Sequence, residues 1–150
     1  DSAVTRAFLG NWAFAPRLEI GSGRPYRLLT RTDRSLINSS STARPSVVPV
    51  GTPGSFASPD GRVGLALPQL GAVGNLGRNV YTTTSYQALD FRLTRHFQFS
   101  ENLKVDFMAD VFNAFNRVNI NRVDSAYHLS GRPVSASNAR QIQFGLKVLF

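Results

Sequence analysis

The sequence predicts an all-β, antiparallel fold of about four long membrane-type strands joined through two long loops. Three observations carry this expectation. Four stretches of about ten residues or more alternate apolar and polar side chains with period 2. Helical periodicity is scarce, and turn-forming residues collect between the alternating stretches. At 150 residues, 42% of them apolar, the chain suits one domain with enough apolar surface to fold.

The first strand is expected over about 11–30. Trp12, Phe14, Leu18 and Ile20 share one face, opposite Ala13, Ala15, Arg17 and Glu19. Pro16 falls on the apolar face and cannot donate to a ladder, which predicts an edge position or a bulge. The second strand is expected over about 86–99, with Leu89, Phe91, Leu93, Phe97 and Phe99 on one side and Asp90, Arg92 and His96 on the other. Ser100-Glu101-Asn102 reads as a short polar turn, so the third strand, about 103–116, completes a hairpin. Its segment Asp106 to Asn116 is the best helical candidate in the chain, but Val and Phe content favours a strand. The fourth strand, about 140–150, sets Ile142, Phe144, Leu146, Val148 and Phe150 against Gln141, Gln143, Gly145 and Lys147.

Two long connections remain, 31–85 and 117–139. The first holds five of the eight Pro and seven of the twelve Gly, which prevents a continuous ladder and predicts an exposed loop. It also contains three ten-residue blocks opening on Gly51-Thr52-Pro53-Gly54, Gly61-Arg62-Val63-Gly64 and Gly71-Ala72-Val73-Gly74, a loose repeat at most. Connection lengths therefore run long, short, long.

Composition removes several kinds of chemistry. Without Cys there is no disulfide, thiolate metal site or Cys nucleophile. His96 and His128 are the only imidazoles, on different elements, and no hydrolase or zinc-protease motif accompanies them. We therefore expect no catalytic residues, no cofactor and no metal. The charge is +8, from 17 basic and 9 acidic groups, and fifteen of the basic residues are Arg. These run scattered from Arg6 to Arg140, which argues against nucleic acid and for phosphate-bearing lipid headgroups or lipopolysaccharide. No run of 18 apolar residues occurs, and Asp1-Ser2-Ala3 reads as a mature or internal start.

Tilted strands of about ten residues match a bilayer. Apolar-out, polar-in alternation, with short turns at one end and long loops at the other, is the pattern of an outer-membrane barrel. An ordinary β-sandwich also alternates, but here the polar face carries charges mid-strand while the other face is almost continuously apolar. Trp12, Phe14, Tyr26, Tyr86, Phe97, Phe99, Phe115 and Phe150 lie near strand ends, as interface girdles do, with Trp12, Phe14, Phe97 and Phe99 the foremost candidates. Arg95 breaks the apolar row and is expected near the periplasmic rim, because at mid-bilayer it would cost about 2–4 kcal/mol.

Five short motifs, in order, resemble the C-terminal barrel end of TonB-dependent receptors of the Oar-like group, which carry a carboxypeptidase-regulatory-like extension. Ser22-Gly23-Arg24-Pro25-Tyr26 resembles the family's SGxPF element, and Gly77-Arg78-Asn79 its GRN. Leu89-Asp90-Phe91-Arg92-Leu93 resembles the stretch that follows, Val111 to Asn116 its FNxFN, and Arg140 to Phe150 its terminal RxIQFGLKxxF. Val80 to Ser85 departs from the Gly-rich run the family has after GRN. The resemblance implies a bacterial outer-membrane location and energy-coupled uptake through a 22-stranded barrel. A plug domain, a TonB box and most of those strands have no counterpart in these residues.

Four strands cannot close a barrel, since the smallest single-chain barrels need eight. Each unsatisfied backbone group at an open edge costs several kcal/mol in lipid. The partners expected are therefore the rest of a barrel, or identical copies meeting through edge strands in an oligomeric barrel or filament. A soluble basic binding module is a third possibility. Asp90, Arg92, Lys104, Asp106 and Asp110 share the polar face of the hairpin, as a substrate path or as a ladder of cross-strand ion pairs. Asn113 and Asn116 beside Phe112 and Phe115 suit a strand-ending turn or a recognition feature. By the same resemblance, Ile142, Phe144, Leu146, Val148 and Phe150 are a C-terminal signal for the barrel-assembly machinery, or Phe150 is only a girdle residue.

Overall fold

A computed structural model describes residues 10–38 and 40–150; Asp1-Ser2-Ala3 and Arg6 lie outside them. The fold is all-β, with a single 3₁₀ turn, Tyr127–Leu129, among the described residues. It divides into two compact units, a long-stranded sheet and a unit of short strands.

The sheet contains β1 (Trp12–Gly21), β7 (Tyr86–Gln98), β8 (Lys104–Phe112) and β11 (Gln141–Leu149), in the spatial order β1-β7-β8-β11. Every neighbouring pair is antiparallel. Ten, thirteen, nine and nine residues make these strands about as long as a tilted membrane crossing requires. Pro16 pairs with Phe91 without a register shift, and β1 lies at the edge of the sheet, where a missing donor is tolerated. Phe99 and Ser100 both donate backbone N–H groups to the Leu103 carbonyl, closing the β7–β8 hairpin. Both long connections leave from the opposite end of the sheet, after Gly21 and after Phe112.

The first strand stops at Gly21 rather than continuing to Thr30. At Gly23 a Cβ would overlap the Thr83 carbonyl, so glycine alone permits this approach, and Arg24 and Thr83 bond each other there. Tyr26 consequently belongs to the second unit and not to a membrane girdle.

That second unit, residues 22–85 and 120–137, is more than an exposed loop. It holds β2 (Pro25–Tyr26) paired with β6 (Tyr81–Thr82), and β5 (Gly64–Ala66) between β3 (Ser46–Val48) and β4 (Phe56–Ala57). A further hairpin joins β9 (Ile120–Val123) to β10 (Pro133–Ala136). Leu28, Leu65, Leu76 and Tyr127 form its core, with Tyr26, Val63 and Tyr81 packed against them. Leu29 ties the two segments together, donating to Ser125 O at 2.7 Å and accepting from Tyr127 N at 3.0 Å. Gly74 lies where a Cβ would overlap the Arg44 carbonyl, which lets Arg44 reach Leu76 O at 2.6 Å. The leading glycines of the three blocks, Gly51, Gly61 and Gly71, all take positive φ, but Gly64 lies inside β5 while Gly54 does not, so the blocks are not structural copies.

Candidate functional site: the two faces of the sheet

Register assigns each side chain to a face, because directly opposed residues in an antiparallel ladder point the same way. On one face lie Trp12, Phe14, Pro16, Leu18 and Ile20 of β1 with Leu89, Phe91, Leu93 and Arg95 of β7. Phe97, Val105, Phe107, Ala109 and Val111 continue it across the hairpin, and Ile142, Phe144, Leu146 and Val148 complete it on β11. Diagonal aromatic pairs knit this face, Phe14 with Phe91 at 5.5 Å and Phe107 with Phe144 at 5.8 Å between centroids. It covers nothing in this sheet: Phe144 is 71% exposed and Ile20 68%. An apolar face this extensive marks a membrane or protein contact.

One charge interrupts it. Arg95 stands opposite Trp12 and Phe107 near the hairpin end of the sheet. Its guanidinium lies 5.4 Å from the Trp12 ring and 5.0 Å from the Phe97 ring. Cation–π contact with two rings lowers the cost of an Arg among apolar groups, by about 0.5–2 kcal/mol each. Phe97 also stacks with Phe99 at 6.2 Å, beside the turn.

The opposite face is polar and internally paired. Arg92 meets Asp110 in a two-pronged contact, Nε to Oδ1 at 2.6 Å and Nη2 to Oδ2 at 2.8 Å. His96 Nδ1 lies 2.6 Å from Asp106 Oδ1, and Lys147 stands opposite Asp106 on β11. Arg17 approaches Asp90 at 4.0 Å and bonds Glu19 at 3.1 Å on its own strand. Lys104 sits opposite Gln98 and Leu149 at the turn end. Apart from Arg17–Glu19 these are cross-strand pairs, in the geometry a wet interior tolerates. The rows separate Asp90 from Asp106, so the five hairpin charges form successive rungs and not one cluster.

A family model described as "Outer membrane beta barrel domain" matches residues 1–143. The chain belongs to this outer-membrane β-barrel family. Comparison with curated proteins and with solved structures returned no match. The protein is therefore one of the bacterial outer membrane, and its four-stranded sheet is barrel wall. In such a wall the apolar face is the lipid side and the paired polar face the inner side. Phe144 to Phe150, including three of the five apolar residues of the last strand beyond Phe144 itself, continue past the matched segment. Among the described residues, the outer edges of β1 and β11 carry no ladder partner.

The barrel sheet also contains polar joints that periodicity did not reveal. β8 ends at Phe112, and Asn113 (φ 49°) turns the chain away. Asn113 is buried, donating its Nδ2 to Arg117 O at 3.0 Å and Asn138 O at 2.9 Å while its Oδ1 accepts from Arg117 N at 3.2 Å. Asn116 (φ 51°) then accepts from Arg140 N at 3.0 Å, one residue before β11. Asn119, only 1% exposed, accepts from Gln87 N at 3.0 Å and donates to Gln87 O at 2.8 Å. Its amide stands in for a strand neighbour where β8 has already departed. An Asn in a turn-rich stretch is the only sequence signal for it. His128, unlike His96, belongs to the short-stranded unit and packs against Phe56 at 5.9 Å.

Proposed function

We propose that this chain is the C-terminal part of a TonB-dependent outer-membrane receptor, supplying barrel wall and outer loops for energy-coupled uptake. The observation that carries the reading is how its five resemblance motifs fall on the fold. Ser22 to Tyr26 spans the exit from β1, and Gly77-Arg78-Asn79 precedes β6. Leu89 to Leu93 lies at mid-strand in β7, Val111 to Asn116 closes β8, and Arg140 to Phe150 is β11 with its flanks. Four of the motifs therefore sit in a sheet strand or at its end, while Gly77-Arg78-Asn79 lies in the short-stranded unit ahead of β6. The second unit, with its own core, suits an extracellular region that must keep its shape between sheet strands.

Its partners follow from the two faces. Acyl chains meet the apolar side, lipopolysaccharide phosphates meet Arg of the long connections, and further strands of the same receptor pair along the outer edges of β1 and β11. The barrel-assembly machinery reads the last strand.

The mass of the native outer-membrane species carrying this sequence tests the reading. A receptor several times larger than 16.4 kDa, with a plug domain upstream, is expected. A free 16.4 kDa chain in rings or filaments would end it.

A further inference from the structure

The short-stranded unit contains a hollow of about 300 Å³ beside the β2–β6 pair. Tyr26 and Tyr81, opposed across that pair, form its wall, their ring centroids 6.0 Å apart and inclined at 33°. Both also pack against the core of the unit, which fixes the rings. Val80 adds apolar surface beside them. Gly131 approaches the Tyr26 hydroxyl so closely that a Cβ there would overlap it, a second restraint on that ring.

The polar lining is mixed in sign and hydrogen-bonding sense. Asp60 Oδ1 accepts from the Ser58 hydroxyl at 2.6 Å and from Arg62 N at 3.3 Å, so the carboxylate is held in one orientation. Its Oδ2 faces Arg62 Nε at 3.9 Å, beyond hydrogen-bond length, leaving both groups able to bind a third. Arg62 donates only, the carboxylate accepts only, and the Thr82 and tyrosine hydroxyls do both. Burial pushes the Tyr26 and Tyr81 phenols up, and the Ser58 hydrogen bond holds the Asp60 carboxyl down, so hydroxyls and carboxylate coexist at neutral pH.

Asp60 and Arg62 balance in charge, which favours neither a cation nor an anion. A mostly polar lining of interleaved donors and acceptors, with the tyrosines adding a small apolar patch, fits a ligand with a rim of hydroxyl groups around a C–H face. We propose that this hollow binds one ring of a neutral saccharide, its C–H face on the tyrosines and a pair of neighbouring hydroxyls between Asp60 and Arg62. The inference deepens the uptake reading, since the saccharide would be the solute recognised, but binding is measurable without transport.

The test is calorimetric titration of the detergent-purified native protein with maltotriose, cellotriose, xylotriose and chitotriose. At least one should bind, with Tyr81→Ala and Asp60→Asn each weakening it about tenfold or more and Tyr81→Phe holding within about threefold. Asp60→Asn changes an exposed side chain, so it keeps the test valid even where Tyr81→Ala loosens the unit. No binding by any of the four sugars, or binding indifferent to Asp60→Asn, would overturn the site. Saccharide binding without energised uptake would end the receptor reading and leave the site standing. Energised uptake of another solute, with none of the sugars bound, would do the reverse.

Discussion

The backbone N–H of Asn113 donates to Asp90 Oδ1 at 2.8 Å, joining the end of β8 to a carboxylate of β7. Asp90 therefore serves two partners, since Arg17 of β1 approaches its other oxygen at 4.0 Å. A single side chain on the polar face thus holds the end of β8 and faces the Arg17 charge of β1, at the end from which both long connections depart.

Asn113→Ala should be among the most damaging single changes in the sheet. It removes three side-chain hydrogen bonds and leaves a residue with Cβ at positive φ, together about 2–4 kcal/mol. Urea unfolding in detergent micelles measures the loss. Asn113→Gly, which accepts the φ but makes none of the bonds, should be the milder of the two. Equal losses would mean that backbone conformation contributes nothing.

Neighbouring residues on β11 test the assignment of faces. Phe144→Arg places a charge on the lipid side and should cost about 2–4 kcal/mol near the midplane. Gln143→Arg, one residue away on the polar side opposite Asp110, should be nearly neutral. Refolding into lipid vesicles compares them, and similar penalties would contradict the alternation of faces.

Leu65 is fully buried in the core of the short-stranded unit. Leu65→Ala should cost that unit about 2–5 kcal/mol, depending on how far the site collapses. Limited proteolysis should then cut within 31–85 sooner than in wild type, with β7 and β8 still protected. Unchanged cutting would mean that the core does not hold the segment.

Deleting Phe150 separates a docking signal from simple packing at the membrane interface. The side chain is fully exposed at the end of the apolar row on β11. As a signal read by edge pairing, its loss should sharply reduce the amount of protein in the outer membrane. Normal insertion with slightly lower heat resistance would assign Phe150 to packing alone.

Period-2 alternation made β7, β8 and β11 legible because each has one apolar and one polar face, and the hairpin followed from a three-residue polar turn. The family match places the chain in the outer membrane, where that two-faced pattern is stable. β1 was harder to bound, since Tyr26 keeps the apolar rhythm after the long strand has ended. What stops it is the backbone contact of Gly23 with Thr83, sixty residues on, which no local pattern records. The short-stranded unit was illegible for a similar reason. Strands of two and three residues have no measurable period, and its core unites Leu28, Leu65, Leu76 and Tyr127 from across a hundred residues. On the polar face, charge at the right parity indicated Arg92 and Asp110, whereas the hydrogen bonds of Asn113 and Asn119 depend on where two connections return to the sheet.

The contact of Arg95 with Trp12 and Phe97 is where a waterline is expected on this wall. A guanidinium prefers phosphate and water, and an indole ring prefers the headgroup layer, so this group is expected at the depth where hydrocarbon ends. The apolar rows above it then define a fixed hydrophobic height, which the bilayer must stretch or thin to meet. Strand number and ladder register fix how steeply the strands of a barrel lean, so a bilayer of another thickness is what must give way to this wall.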